Sequence, residues 1–249
     1  MNIIEIKNLS HRFSDGKFGI EGISLKIRKG EFIVIGGQNG SGKTTLLKHL
    51  NGLLLPTTGT VTIDGIEVSR NIKKARQIVG MVFQNADSQI VGETVYSDVA
   101  FGPENLCLDR QEIEKRVSTA LESVSLTQHA DKRPHLLSGG EKRRLSIAGI
   151  LAMEPKVIVF DEPFSSLDYP GVRQVLKQII SLHQSGHTII ITTHDIEKII
   201  AHANRLLIMQ DGKVKRDGMP DKVLKEAEVF GVRAPCATRL GAEVVSWLS

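Results

Sequence analysis

The sequence predicts an α/β fold whose core is a parallel sheet, with an antiparallel β subdomain near the N-terminus and an inserted helical subdomain. Four short apolar runs, several of them separated by segments of helical period, are typical of buried parallel strands. Alternating polar and apolar residues near the N-terminus are typical of antiparallel strands. A long stretch, residues 85–153, contains no strand-like run and has helical apolar spacing in two places. The fold is therefore expected to combine a mixed core with a helical insert.

Antiparallel strands are predicted at residues 3–9, 20–27 and 60–63, and parallel strands at 32–35, 79–83, 157–160 and 188–192. Residues 206–210 and 213–216 flank Asp211-Gly212, which predicts a two-residue hairpin. Helices are predicted at 111–124 and 141–151. We assign residues 1–84 and 154–225 to the core, 85–153 to the helical subdomain and 226–249 to a tail, which either forms a short helix around 238–247 or packs or frays.

Composition limits the class of protein. Of the 249 residues, 41% are apolar and 24% charged, as in an ordinary globular protein. No apolar stretch approaches the roughly 20 residues of a membrane span and no signal peptide is evident, so we expect a cytosolic chain. Two cysteines exclude a disulfide framework, and eight scattered histidines indicate no structural metal site. The net charge of +4 comes from interleaved residues rather than a basic block, so no nucleic-acid partner is expected.

One segment, residues 37–44, reads Gly-Gln-Asn-Gly-Ser-Gly-Lys-Thr and lies between an apolar run and a helix-like stretch. Glycines allow backbone N–H groups to surround an anion closely. Lys43 adds a positive charge for the β- and γ-phosphates, and the Thr44 hydroxyl is placed to bind Mg²⁺. Because all eight positions and both flanks are present, we interpret this segment as a phosphate-binding loop rather than a glycine-rich turn. The chain is predicted to bind a nucleoside triphosphate.

A second motif is the apolar strand at 157–160, which ends in Asp161 and Glu162. Such a strand carries both carboxylates to the carboxyl edge of the sheet, where open α/β folds bind ligands. There Asp161 can reach Mg²⁺ through water, and Glu162 can polarise an attacking water. The alternative is an acidic cap for the next helix, which Pro163 makes less favourable.

A third motif, Ser138-Gly139-Gly140, comes just before the predicted helix at 141–151. A serine hydroxyl and glycine N–H groups at a helix N-terminus can form a second anion site. Taken alone, the motif indicates only a helix cap. Its presence together with the phosphate-binding loop and the Asp161-Glu162 pair makes it specific.

With these three motifs, the sequence resembles the ATP-binding cassette (ABC) ATPases over nearly its whole length. Residues 37–44 resemble the Walker A motif, 137–141 the signature motif and 157–162 the Walker B motif. The lesser matches are Gln84 (Q-loop), Asp168 (D-loop), His194 (switch histidine) and Phe13 (the aromatic A-loop residue). The family usually has tyrosine at the A-loop position, where this chain has Phe13. Phenylalanine keeps the π face but lacks the hydroxyl. Each lesser match has a local explanation as a strand end, turn, cap or core residue, but together they occur in the family's order.

The resemblance implies a P-loop NTPase (RecA-like) core, ATP as the nucleotide and Mg²⁺ as its metal. Phe13 is expected to stack on adenine. The phosphates are expected to contact Asn39, Gly40, Ser41, Gly42, Lys43, Thr44 and Thr45. Mg²⁺ is expected at Thr44, Gln84 and Asp161, directly or through water. The catalytic residues are expected to be Glu162 as general base, His194, Gln84 and Lys43.

The resemblance also implies a dimer. In this family the signature residues of one cassette close on the ATP held by the Walker A loop of another, and this chain carries each motif once. Ser138, Gly139 and Gly140 are therefore expected to act on a partner's ATP, with Asp168 coupling the two sites. The sequence leaves open whether the second ATPase subunit is another copy or a paralogue.

Residues 85–91 and 98–106 resemble the segment after the Q-loop in ATPases of energy-coupling-factor transporters and of the related cobalt and nickel importers. This implies an importer ATPase on the cytoplasmic face of the membrane, with a transmembrane coupling subunit and a small membrane substrate-binding protein that take up a vitamin or transition-metal ion. The alternatives are another ABC importer or a non-transport ABC ATPase of DNA repair or translation. Those non-transport groups carry long coiled coils or two cassettes, which this chain lacks. The substrate and the identity of the membrane partners stay open.

The same region is predicted to form a groove for a basic coupling helix. Its proposed lining combines apolar Val91, Val95, Val99 and Phe101 with acidic Glu93, Asp98 and Glu104. The alternative is that these residues only pack the helical insert.

Overall fold

The computed structural model describes residues 1–248, and its strands form two sheets. The strands are β1 (Asn2–Arg12), β2 (Phe18–Arg28), β3 (Phe32–Gly36), β4 (Thr58–Ile63), β5 (Ile66–Glu67), β6 (Val79–Val82), β7 (Val157–Asp161), β8 (Thr188–Thr193), β9 (Arg205–Gln210) and β10 (Lys213–Gly218). The helices are α1 (Lys43–Leu50), α2 (Ile72–Ile78), α3 (Val95–Asn105), α4 (Arg110–Ser123), α5 (Gly139–Leu151), α6 (Tyr169–Gln184), α7 (Pro220–Val223) and α8 (Cys236–Arg239). Within residues 1–248, no helix combines the length and the apolarity that a membrane crossing requires.

The larger sheet has the strand order β10-β9-β3-β8-β7-β6. Strands β9, β3, β8, β7 and β6 run parallel, and β10 returns antiparallel to β9. The four predicted parallel strands are confirmed, and every residue of β3, β7 and β8 is buried. Burial on both faces explains why these strands read as continuous apolar runs rather than alternating ones. Their carboxyl ends lie at one edge of the sheet, which is where the functional motifs follow.

Alternate residues of β3 supply two separate cores. Phe32 and Val34 join the core that contains the helical insert and α6, whereas Ile33 and Ile35 join the core that contains α1 and the smaller sheet. This two-sided packing fixes β3 and hence the loop that follows it.

The smaller sheet is antiparallel, with the order β2-β1-β4-β5. It confirms the three predicted antiparallel strands and adds the two-residue strand β5, which the sequence did not indicate. The predicted hairpin between β9 and β10 is also confirmed. Asp211 and Gly212 both have positive φ values, of 50° and 72°, as a tight two-residue hairpin turn requires.

The helical insert contains α3, α4 and α5. The predicted helices at 111–124 and 141–151 correspond to α4 and α5 within two residues. Helix α3 was not predicted, because Gly102 and Pro103 near its end are typical of loops. Its start is fixed by a capping box between Thr94 and Ser97. The predicted subdomain boundaries at residues 84 and 153 stay predictions.

Helix α3 corrects part of the predicted groove. Val95 and Val99 are completely buried in the core of the insert, because they lie on the inner face of this helix. Asp98 is also buried, and its carboxylate accepts hydrogen bonds from the backbone N–H groups of Val91 (2.7 Å) and Gly92 (2.9 Å). Burial raises the pKa of the Asp98 carboxyl, although these two hydrogen bonds oppose the shift. These three residues therefore hold the insert together and do not offer a surface to a partner.

The other residues predicted to line this groove are exposed. Val91 is 62% exposed and Phe101 53%, and Glu93 and Glu104 also face solvent. Their role at a partner surface stays a prediction.

The C-terminal tail corrects a second expectation. The predicted helix around 238–247 is wrong, because α8 ends at Arg239 and Gly241 adopts a left-handed conformation with φ 73°. The following residues pack instead: the Trp247 ring lies 5.7 Å from the Tyr169 ring, and Arg173 donates to the carbonyl of Leu248. The packed alternative is thus confirmed as far as residue 248. Ser249, the end of the predicted tail, lies outside the described residues.

Candidate active site

The phosphate-binding loop connects β3 to α1 at the carboxyl edge of the parallel sheet. Gly40 and Gly42 have φ values of 81° and 98°, in the left-handed region that favours glycine. A Cβ at Gly42 would lie 2.6 Å from the carbonyl oxygen of Gly19, so a side chain is also excluded there by space. The loop thus turns its backbone into the N-terminus of α1, where free N–H groups favour an anion.

Lys43 is the first residue of α1, and its side chain folds back over the loop. Its Nζ donates to the carbonyl oxygens of Gly37 (2.7 Å) and Gln38 (3.1 Å) and lies 3.8 Å from Glu162 Oε1. Burial lowers the pKa of Lys43, and the negative charges of Glu162 and Asp161 oppose that shift. The cation is therefore held at the phosphate end of the cleft, where phosphate oxygens would be stronger acceptors than the two carbonyls.

Asp161 ends β7 and is joined to two hydroxyl groups. Thr44 Oγ1 donates to both of its carboxylate oxygens, at 2.8 and 3.0 Å, and Thr192 Oγ1 donates to Oδ1 at 2.7 Å. A hydroxyl beside a buried carboxylate is the oxygen donor set that Mg²⁺ uses when substrate phosphates supply further ligands. Accordingly, residues 1–248 contain no group of three or more His, Cys, Asp and Glu side chains suited to hold a metal alone. Thr192 was missed by the sequence reasoning, since it is the last but one residue of a strand that was recognised only as apolar.

Glu162 follows Asp161 with a positive φ of 48°, unusual for a residue with a side chain. Its N–H donates to Thr192 O (3.0 Å), which holds the strained backbone, and its Oε2 lies 3.0 Å from His194 Nδ1. Its other oxygen, Oε1, is buried without a hydrogen-bond partner among residues 1–248 and lies on the Lys43 side. Backbone strain and unsatisfied buried acceptors are both common at functional sites. Oε1 of Glu162 is therefore the oxygen suited to accept a proton from a bound water.

One cleft of about 500 Å³ brings most of the predicted nucleotide residues together. Its lining includes Phe13, Asn39, Gly40, Ser41, Gly42, Lys43, Thr44, Thr45, Gln84 and Glu162, and also Asp15, Lys17, Phe18 and Gly19, which the sequence reasoning missed. Phe13 is 42% exposed. A Cβ at Gly19 would lie 2.6 Å from the Phe13 ring, so the absence of a side chain at Gly19 makes room for the ring.

The signature residues lie elsewhere. Ser138 caps α5: its Oγ accepts from the N–H of Glu141 (3.3 Å), and Glu141 Oε2 accepts from the N–H of Ser138 (2.7 Å). The hydrogen bond from the Ser138 N–H is also the main reason that the pKa of Glu141 is lowered. Ser138 and Gly139 are exposed, and neither they nor Gly140 line the nucleotide cleft.

Asp168 is also exposed and lies outside the nucleotide cleft. Its side chain caps α6 by accepting from the N–H of Gly171 at 2.9 Å. Its role, like that of the signature residues, stays a prediction that needs a second cassette.

The fold and the cleft together define a P-loop nucleoside triphosphatase with an inserted helical subdomain. A family profile described as ABC transporter matches residues 20–165, and the chain belongs to this family as one of its ATP-binding proteins. It is 46% identical to the energy-coupling factor transporter ATP-binding protein EcfA of Methanocaldococcus jannaschii, over 92% of this chain and 84% of that one. It is 45% identical to EcfA1 of Caldanaerobacter subterraneus subsp. tengcongensis, over 97% of this chain and 91% of that one.

Two solved structures of ABC transporter ATPases are also similar to this chain. The structure of cbiO1 from Clostridium perfringens, part of the ABC transporter complex cbiONQ, matches with a TM-score of 0.83 and 39% identity, covering 92% of each chain. A bacterial ABC transporter cassette solved as a dimer matches with a TM-score of 0.78 and 30% identity, covering 87% of this chain and 98% of that one. The predicted family, its energy-coupling-factor branch and the fold class are thereby confirmed, and the chain is an ATPase whose nucleotide is ATP.

Proposed function

We propose that this chain is the ATP-hydrolysing subunit of an energy-coupling-factor type ABC importer, attached peripherally to the cytoplasmic face of a membrane. The observation that carries the proposal is the arrangement around Glu162. Its buried carboxylate lies between Lys43 and His194, and Asp161 beside it is joined to Thr44. That arrangement occurs in a chain related over nearly its whole length to energy-coupling factor ATP-binding proteins.

In the proposed reaction, water attacks the γ-phosphorus of ATP and the bond to the β–γ bridging oxygen breaks, which releases ADP. Glu162 Oε1 accepts the proton of the attacking water, while the His194 contact holds the other carboxylate oxygen in place. Lys43 and the N–H groups of the loop offset the negative charge on the phosphates. Mg²⁺, bound at Thr44, Asp161 and Gln84, would supply further charge neutralisation when present. Phe13 stacks on the adenine.

The exposed signature residues support a composite site. Ser138 and Gly139 are exposed, Gly140 is half-buried, and all three lie outside the cleft of their own chain. We infer that they complete the ATP site of a second cassette, and that Asp168 couples the two sites. The second cassette is either another copy of this chain or a paralogue.

Ser138 allows this inference to be tested separately from helix capping. Ser138→Asp keeps a good N-cap residue but places a negative charge where a partner's γ-phosphate would lie. We expect an unchanged melting temperature and a loss of ATPase turnover of about 10-fold or more. In the control variant, Ser138→Ala, the cap is lost, which should lower the free energy of unfolding by about 1 kcal/mol. Full turnover in Ser138→Asp would leave the motif with its capping role only.

The membrane partners are proposed to dock on the helical insert. A surface groove of about 500 Å³ is lined by Asp87, Ile90, Gly92, Glu93, Arg133, Pro134 and His135. Its lining includes Asp87, which lies in the same loop as Gln84, so an occupant of the groove could influence the ATP cleft. We propose that a short helix of the transmembrane coupling subunit occupies this groove. A small membrane substrate-binding protein would then select the cargo, a vitamin or a transition-metal ion such as cobalt or nickel.

The test is affinity purification of the tagged chain from gently solubilised native membranes, with identification of the co-purified proteins by mass spectrometry. We expect a transmembrane coupling subunit and a small membrane substrate-binding protein. Glu93→Lys in the groove should reduce their recovery, whereas Glu122→Lys, the same charge change at an exposed residue of α4 outside the groove lining, should not. Recovery of soluble partners alone would favour a non-transport ATPase and overturn the importer proposal.

A further inference from the structure

The side chain of Arg143 links the signature helix to the loop that carries Gln84. Arg143 lies on α5, and its guanidinium donates through Nη1 to Phe83 O and through Nη2 to Gln84 O. These two carbonyls directly follow β6, in the parallel sheet, whereas α5 belongs to the helical insert. Because the guanidinium is a planar fork, donation to two consecutive carbonyls fixes the direction of the main chain as well as its distance from α5.

Arg143 is a buried charged residue, and its burial carries a desolvation cost that packing alone does not explain. The residue is 3% exposed, and its Nε is buried without a hydrogen-bond partner among the described residues. No carboxylate of residues 1–248 forms an ion pair with it. Burial lowers the pKa of Arg143, and the charge of Asp161, in the ATP site, partly opposes that shift. Arg143 is thus a desolvated cation whose charge interacts with that of Asp161 in the ATP site.

The neighbouring residue strengthens the same connection. Lys142 donates to the carboxylate of Asp87 at 2.7 Å, so two consecutive residues of α5 hold the loop at residues 83–87. This loop also lines a cleft with Gly139 and residues 165–167, where the signature motif and the D-loop meet it. The loop is therefore hydrogen-bonded to α5 on one side, and on the other side its residue Gln84 lines the ATP cleft.

We propose that Arg143 is a positioning residue for ATP hydrolysis that acts through Gln84. It fixes the main chain at Gln84 relative to α5, so that the Gln84 side chain reaches the reacting phosphates only when the signature helix is in place. The proposal rests on the proposed role of Gln84 in this site. It gives the helical insert a direct mechanical connection to the ATP cleft of its own chain.

Arg144 provides a matched control. It is the next residue of α5, its Nη1 also donates to two main-chain carbonyls (Val124 O at 2.8 Å and Ser125 O at 3.4 Å), and its Nε is likewise buried without a hydrogen-bond partner among residues 1–248. Its targets lie within the helical insert, away from the ATP cleft. The two arginines thus make the same kind of contact to different parts of the chain.

The experiment is a double-mutant cycle on the full chain. Arg143→Gln and Arg144→Gln are each made with Gln84 present and with Gln84→Ala, and kcat, KM for ATP and melting temperature are measured. We expect Arg143→Gln to lower kcat about 10-fold or more while KM changes by less than about 3-fold, because misplacing a reacting group affects turnover more than binding. Arg144→Gln should lower the melting temperature and leave kcat within about 2-fold. With Gln84→Ala, the additional loss from Arg143→Gln should fall below about 2-fold, because its target is already absent.

Equal losses of kcat in Arg143→Gln and Arg144→Gln would overturn the proposal, as would the same loss from Arg143→Gln with and without Gln84. If Arg143→Gln does not fold, Arg143→Lys carries the same cycle, because lysine keeps the charge but lacks the planar fork. Absence of ATPase activity in the unsubstituted chain would count against the proposed function itself. An active chain with an additive cycle would count only against the role of Arg143.

Discussion

Glu162→Gln is expected to bind ATP but to hydrolyse it at least about 100-fold more slowly, the usual scale for the loss of a positioned general base. Gln keeps the size of the side chain and can still contact His194, but its amide cannot accept the proton of the attacking water. The loss should appear in kcat, with little change in the dissociation constant for ATP. Single-turnover hydrolysis and the binding of a fluorescent ATP analogue measure the two quantities separately.

The substitution has a secondary electrostatic effect. The negative charge of Glu162 raises the pKa of buried Lys43 against the effect of burial, so its removal should lower the pKa of Lys43 further. Glu226→Gln is a suitable control, because Glu226 forms a half-exposed ion pair with Arg216, outside the ATP cleft, and should leave turnover unchanged. Turnover near that of the unsubstituted chain in Glu162→Gln would remove Glu162 from the role of general base.

The strands of the core could be predicted because burial determines their sequences. A strand covered on both faces has to be apolar throughout, as β3, β7 and β8 are, and this pattern is readable without knowledge of the partners. The phosphate-binding loop could be predicted for a similar reason. Gly42 has no room for a Cβ and a φ that only glycine adopts readily, so the backbone shape itself requires the residue.

Helix α3 shows where such reasoning fails. Gly102 and Pro103 read as loop residues, yet both lie inside the helix. A Cβ at Gly102 would overlap the side chain of Met153, so this glycine allows α3 to pack closely against the turn that follows α5 rather than forming a turn itself. Local preferences are overridden here by a tertiary contact that the sequence alone does not reveal.

Part of the candidate site could be predicted from the sequence. The rest could not, again because it depends on tertiary contacts. Lys43 and Glu162 belong to motifs with fixed spacing along the chain, and both line the same cleft, as expected; their roles stay predictions. Thr192 and Arg143 were not recognised as site residues, because their contacts with Asp161 and with the Gln84 carbonyl join segments far apart in sequence. The proposed role of Ser138 depends on a second cassette, and Ser138→Asp is the variant that tests it.

Lys43→Ala is expected to weaken ATP binding as well as turnover, in contrast to Glu162→Gln. The Lys43 side chain is 6% exposed, and its Nζ lies 3.8 Å from Oε1 of Glu162, the proposed general base. Charge-assisted hydrogen bonds contribute about 1.5–3 kcal/mol, so its removal should raise the dissociation constant for ATP by about 10- to 100-fold.

Lys48→Ala is the matched control for this prediction. Lys48 lies in the last turn of the same helix, α1, and outside the cleft lining, so the same substitution should leave ATP affinity unchanged. Titration calorimetry with ATP, and separately with adenosine, measures the contribution of the phosphates. Lys43→Ala should weaken ATP binding and leave the much weaker binding of adenosine as it is, because Phe13, the residue proposed to stack on adenine, is unchanged. Unchanged ATP affinity in Lys43→Ala would contradict the assignment of this loop to the phosphates, whereas equal loss for ATP and adenosine would indicate that the cleft had lost its shape rather than a phosphate contact.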